Sequence, residues 1–130
     1  MVISMSVESR VLKMGAWRKL RKEEMDLITA MARHSPKSNK VLCSLSERLV
    51  EDMKDGGMGS LHFKDKDNRE RRLGKKIAEA EFTDEDGIPV SAVLNLDDKG
   101  QLFELDMWKV DFSALKRYPR PEELRLKQPS

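Results

Sequence analysis

A chain of 130 residues, 38% apolar and 37% charged, is one domain's worth of sequence, long enough to bury a core without disulfides or a structural metal. No apolar run approaches the roughly 20 residues of a membrane span, the opening MVISMSVESRVLKMGAW lacks the h-region and cleavage site of a secretory signal, and a lone Cys43 excludes an internal disulfide. These features predict a soluble, cytoplasmic, single-domain protein over residues 1–130. The net charge of +2 hides a segregation: residues 1–76 hold 18 Lys/Arg against 11 Asp/Glu, residues 77–115 hold 2 against 10, and residues 116–130 hold 5 against 2. An acidic central segment suits internal pairing or a cationic partner, and it disfavours nucleic acid on that segment.

In chain order, residues 1–16 show no sustained period and read as a loosely ordered arm. Leu20, Leu27, Ile28 and Met31 recur at helical spacing, with Glu23, Glu24 and Asp26 early, so a first helix is expected over 21–33. Its end is set by HSPKSN, where Pro36 disfavours helix at Ser35. Leu42, Leu45, Leu49 and Met53, with Val41 and Val50 beside them, predict a second helix, capped by Ser38 or Asn39 and stopped by Gly56-Gly57, with Cys43 in its core. SLHFK (60–64) reads as a short strand.

Residues 75–111 carry the clearest pattern, three period-two segments joined by glycine turns. Ala78, Ala80 and Phe82 share one face; so do Ile88, Val90, Ala92, Leu94 and Leu96, and then Phe103, Leu105 and Met107. A three-residue loop Glu85-Asp86-Gly87 pairs Phe82 with Val90, Ala80 with Ala92 and Ala78 with Leu94. A two-residue Lys99-Gly100 turn pairs Leu96 with Phe103, Leu94 with Leu105 and Ala92 with Met107. Both turns place the apolar sets on one side. The opposite side then gathers Glu79 and Asp106 about Val93, Glu81 and Trp108 about Ser91, and Ile77 and Glu104 about Asn95. After Asp111, Pro119 and Pro121 break regular structure, and 119–130 reads as a basic tail. The predicted fold is α+β, with two N-terminal helices packed on one face of a four-stranded antiparallel meander.

The candidate site is therefore the acidic face, with Glu79, Glu81, Glu104, Asp106 and Trp108. Carboxylates around an exposed indole suit a non-enzymatic docking surface for a basic protein partner, with tryptophan as the anchor. An alternative is metal-assisted or acid/base catalysis, with the same carboxylates and His62 if its strand lies beside them. A second is weak nucleic-acid binding through the basic N-terminal half, including NRERR (68–72). No motif assigns a catalytic residue, a metal ligand or a cofactor. GGMGS (56–60) leads from helix to strand and lacks the lysine of a phosphate loop, His34 and His62 make no zinc spacing, and the Asp84 to Gly87 run lacks the spaced ligands of a calcium loop. Oligomeric state is left open.

The run DMKDGGMGSLHF, followed by IAEAEFTDEDGIPVSAVLNLDDKGQLFELDMWKVDFSAL, resembles an uncharacterised family of small bacterial proteins, a domain of unknown function. Its marks are D-G-G-M-G-S-L, a D-x-D-G turn and a closing F-E-L-D-x-W-K-V-D-F-S-x-L, and the resemblance spans about residues 17 to 118. The family pattern has Ser or Thr after Leu20 where this chain has Arg21, which leaves the first helix without its expected cap. The resemblance implies no activity and no catalytic residue. The closing strand is also similar to those of small immunity proteins of bacterial toxin systems, which implies a role in binding.

Overall fold

The computed structural model describes residues 17–33, 35, 38–65, 67 and 69–127. The expected arm 1–16, His34 and the end of the tail lie outside the described residues. In chain order the elements are β1 (Arg18–Lys19), α1 (Lys22–Ala32), α2 (Ser38–Leu42), β2 (Leu49–Asp52), β3 (Leu61–Phe63), β4 (Leu73–Thr83), β5 (Pro89–Asp97), β6 (Leu102–Lys109) and β7 (Arg125–Leu126). Short 3-10 turns occupy Leu45–Glu47 and Pro121–Glu123. All seven strands form one antiparallel sheet in the order β1-β2-β3-β6-β5-β4-β7.

The predicted fold of two helices on a four-stranded meander is thus corrected: among the described residues the protein is mostly β, with two short helices and a sheet of seven strands. The hairpins β4–β5 and β5–β6 form the expected meander, but β3 lies against β6. The linker between β3 and β4 carries the chain across the sheet. The second predicted helix is the main error. Only Ser38–Leu42 is helical, and Leu49–Asp52 is a strand between β1 and β3. Its Val50 is fully buried in the row Arg18–Val50–Phe63, whereas Met53, the end of the supposed helical stripe, is exposed. Buried Arg48 donates to the carbonyls of Lys64 (3.0 Å) and Leu102 (3.2 Å), fixing the start of β2 against the sheet. Local periodicity favoured a helix; the open edge of β3 and a β-branched residue favoured a strand, and the tertiary gain won.

Gly56 and Gly57, expected to stop a helix, adopt φ of 76° and 82° in the β2–β3 loop instead. Cys43 is exposed beyond α2, not a core residue. Within the predicted tail, Arg125–Leu126 form a strand that pairs with Glu81 and Ala80 on the outer edge of β4.

The first helix is where the sequence places it. Lacking a Ser or Thr cap, α1 is closed by buried Glu24, whose carboxylate accepts from the Arg21 N–H at 2.8 Å. The same carboxylate receives both Arg18 Nη atoms at 2.8 Å, and Arg18 also reaches Asp52 at 2.8 Å, so one ion-pair chain ties α1 to β1 and β2. Leu27, Ile28 and Met31 of α1 pack on Ala80, Phe82, Val90, Ala92 and Leu94, burying one face of the sheet. Small Ala80 and Ala92 at the centre let the helix approach.

The β4–β5 register is as expected at Phe82–Val90, Ala80–Ala92 and Ala78–Leu94. At the other turn, Asp97 N–H donates to the Gln101 carbonyl (2.8 Å), so the loop is Asp98-Lys99-Gly100, one residue longer than predicted. The extra residue shifts the ladder: Leu96 pairs with Leu102, which is buried, and Phe103 moves outward. A second irregularity in β4 pairs Asn95 with Lys76 instead of Ile77.

Gly74 marks that β4 irregularity, because a Cβ there would lie 2.2 Å from the Asp97 carbonyl oxygen. Gly74→Ala is expected to lower unfolding free energy by about 2 kcal/mol through forced backbone movement. Gly87→Ala meets no neighbour but keeps a left-handed φ of 83° and should cost about 1 kcal/mol. Urea titration of both variants checks the order, and an equal loss would contradict it.

Candidate functional site

With α1 on one side, the other face of the sheet carries no helix among the described residues. Its rows follow from the registers. Glu51, His62, Glu104 and Asn95 form one row; Asp106, Val93 and Glu79 the next; Trp108, Ser91, Glu81 and Arg125 the third. All five predicted site residues therefore share this face, and His62 does join them, beside Glu104.

Their environments differ. Glu79 sits 2.7 Å from Lys76 Nζ and 3.5 Å from Lys127 Nζ, and the Lys76 hydrogen bond holds its carboxyl below the usual range. Glu81 is 3.5 Å from Lys127 Nζ. The C-terminal segment thus neutralises the β4 half of the patch. Glu104 accepts only a 3.3 Å hydrogen bond from Asn95, and neither it, Asp106 nor Glu51 has an ion pair among the described residues. The uncompensated negative charge lies on β2 and β6, on either side of β3. Glu51 was not legible as a member, because its segment carries a helical stripe.

Beside these carboxylates lie three exposed apolar side chains: Trp108 (53% exposed), Val110 (57%) and Phe112 (67%). The Trp108 and Phe112 rings stand 6.1 Å apart. Phe112 has φ of 63°, among the described residues the one non-glycine in the left-handed region, a costly conformation for a bulky side chain. The turn is held by Asp111, whose Oδ1 accepts from the Ser113 N–H (3.0 Å) and hydroxyl (2.7 Å), while the Phe112 N–H donates to the Lys109 carbonyl (2.8 Å). The sequence signal was an apolar residue between two turn formers.

What holds this turn is a buried cation. Lys109 is fully buried, and its ammonium donates to Asp84 Oδ2 (2.8 Å), Asp86 Oδ2 (2.6 Å) and the Ala114 carbonyl (3.1 Å), using all three donors. Asp84 accepts further from the N–H groups of Glu85, Lys116 and Arg117. Burial by itself would raise the Asp84 carboxyl, but Lys109 and these N–H groups outweigh it and hold it low; for Lys109, burial is likewise outweighed by the two carboxylates, which raise it.

The glycine loop closes the same junction from the other side. Tyr118 Oη donates to the Gly59 carbonyl (2.6 Å) and the Leu115 N–H to the Gly57 carbonyl (2.9 Å). A Cβ at Gly59 would come within 3.1 Å of Leu115 and 3.2 Å of the Tyr118 hydroxyl. Asp55 caps the loop through Met58 and Ser60 N–H groups, both at 3.0 Å, and the Ser60 hydroxyl bridges the Met107 N–H and carbonyl. The D-G-G-M-G-S-L loop, the D-x-D-G turn and the closing W-K-V-D-F segment thus meet at one end of the sheet.

No group of three or more His, Cys, Asp or Glu among the described residues is arranged to hold a metal ion. Of the basic cluster NRERR, Arg69 is committed to Asp65 and Arg71 to Asp97. No helix among the described residues is long and apolar enough to cross a membrane.

Fold and site together define a mostly β protein whose sheet is covered by helix on one face and, among the described residues, left open on the other. The chain belongs to the family described as Domain of unknown function (DUF6984), whose model matches residues 17–119. Comparison with the curated proteins gives no match, and neither does comparison with the solved structures.

The Lys109 junction makes stability pH-dependent at both ends. Asp84 in the junction, and Asp97 beside Arg71 at the β5–β6 turn, have native carboxyls held below their unfolded values, so their contribution is present above about pH 4 and is lost as pH falls through the native values. Lys109 is raised, so its contribution holds below about pH 10 and is lost as pH rises through the native value. The urea midpoint should fall on both sides of that plateau. Lys109→Met should lower the midpoint at pH 7 far more than Lys22→Met, which breaks an exposed 2.9 Å pair with Asp26, because it strands two carboxylates at the junction.

Proposed function

We propose that the chain is a non-enzymatic binding protein whose open sheet face receives a cationic protein partner. The observation that carries this reading is the juxtaposition of Trp108, Val110 and Phe112, all exposed, with the unpaired carboxylates of Asp106, Glu104 and Glu51. Exposed aromatics beside uncompensated charge are what a docking site needs: the rings supply desolvated anchor area, and the carboxylates supply steering and register. A bulky side chain in a left-handed conformation, fixed by the Asp111–Ser113 turn and the Lys109 junction, supports the same reading, since such strain is retained where presentation matters. Capping of a basic toxin by an immunity-type protein is a particular form of this proposal.

The five-residue patch is refined accordingly. Glu79 and Glu81 are engaged by Lys76 and Lys127, so they contribute less than Asp106 and Glu104. The test is capture of the cognate partner, then titration with the variants. Trp108→Ala and Asp106→Lys should each weaken affinity by about tenfold or more and reduce its salt sensitivity only in the second case, while Glu79→Gln should have little effect. Phe112→Gly separates function from folding: it relieves the left-handed strain, so stability should stay level or rise while affinity falls. Equal affinity across all four variants would refute the proposal.

A further inference from the structure

A second surface feature lies on the same sheet face toward the β1 edge, away from Trp108. A cleft of about 370 Å³ is lined by Trp17, His62, Phe103, Lys64, Arg69 and Arg71, and Asp65 and Glu70 line it as well. Its wall is aromatic: the Trp17 and His62 rings are 6.2 Å apart at 37°, and His62 meets Phe103 edge-on at 5.2 Å and 77°. The three rings come from the start of the sheet, β3 and β6, and all are only partly buried. Phe103 stands here because of the ladder shift after Asn95.

Cations lie over two of the rings, Arg71 5.0 Å from the Phe103 centroid and Lys64 6.0 Å from that of Trp17. Their engagement differs. Arg71 is held by Asp97 and by the carbonyls of Leu102 and Phe63, and Arg69 is held by Asp65. Asp65 is saturated, taking the Arg69 guanidinium and the N–H groups of Asp67 and Arg69. Lys64 has no ion pair among the described residues, which leaves it as the cation available to a ligand. Burial, and then the Arg71 charge, lower the proton affinity of His62 despite its neighbours Glu51 and Glu104, so the imidazole is a neutral stacking surface at pH 7.

We propose that this cleft binds a planar ring carrying a phosphate, a ligand of mononucleotide size, with the ring against Trp17 and Phe103 and the anion on Lys64. The volume lies in the range of small-molecule sites, roughly 300–1,000 Å³, and aromatic faces accept any nucleobase. A polymer is disfavoured, because further phosphates would run toward Glu51, Glu104 and Asp106. This site borders the protein-docking surface, because His62 pairs across the sheet with Glu51 and Glu104, but its ligand is held by Trp17, Phe103 and Lys64, and the proposal does not require that surface.

The experiment is titration of the full chain with AMP, adenosine, inorganic phosphate and a mixed-sequence single-stranded oligonucleotide, followed by the two indole N–H signals in NMR. The expected result is a saturable shift of the Trp17 signal with AMP, and none at Trp108. Lys64→Met should weaken AMP about tenfold while leaving adenosine unchanged, and Phe103→Leu should weaken both. The proposal is overturned if AMP at about 10 mM leaves the Trp17 signal in place, if Lys64→Met has no effect, if phosphate alone binds as well as AMP, or if the oligonucleotide binds more tightly.

Discussion

Lys109 is a cation withdrawn entirely from water at the end of the central strand β6, and the groups that neutralise it come from elsewhere in the chain: Asp84 and Asp86 from the β4–β5 turn, and the Ala114 carbonyl from the segment that follows. A buried charge is tolerable only when its partners are held in place, so this ammonium dictates where the turn and the closing segment must sit. Asp84 extends the constraint by accepting the Lys116 and Arg117 N–H groups, and Tyr118 extends it to the glycine loop. The glycine loop, the Asp84 to Gly87 turn and the closing segment are therefore parts of one junction. What they display is the Trp108–Phe112 corner.

A sheet with a helix on one side only leaves its other face to find a use or remain solvated. Here that face is divided. On β4 the carboxylates are paired with lysines, one of them from the C-terminal segment; Glu51 on β2 and Glu104 and Asp106 on β6 have no ion pair among the described residues. The pairing explains why an acidic segment flanked by basic ones still presents a negative surface, and why it presents it at one corner. Toward the β1 edge the surface changes character to rings and a free lysine. The two regions differ in chemistry, carboxylates beside Trp108 and Phe112 in one and rings beside Lys64 in the other.

Much of this was legible. The alternation in 75–111 fixed which side chains share a face, and the Glu85-Asp86-Gly87 loop gave the correct register, because a left-handed glycine and a period of two leave few alternatives. Glu79, Glu81, Glu104, Asp106 and Trp108 were placed on one face for the same reason. The Asp98-Lys99-Gly100 loop was read one residue short, which hid the outward move of Phe103. Residues 49–52 were read as helix because Leu42, Leu45, Leu49 and Met53 fit a helical stripe, and so Glu51 was missed.

Alternation, turn glycines and charge order act between near neighbours, so the chain by itself determined the meander, the first helix and the identity of the open face. Pairing between distant segments depends on what each edge and each buried charge finds in three dimensions. Only the tertiary structure decided that 49–52 pairs along β3 inside the β1 edge, that 125–126 forms the opposite edge beside β4, and that Lys127 quenches half of the acidic patch. The same holds for Lys109, a residue that reads as an exposed lysine in sequence and becomes buried because two aspartates and a carbonyl converge on it.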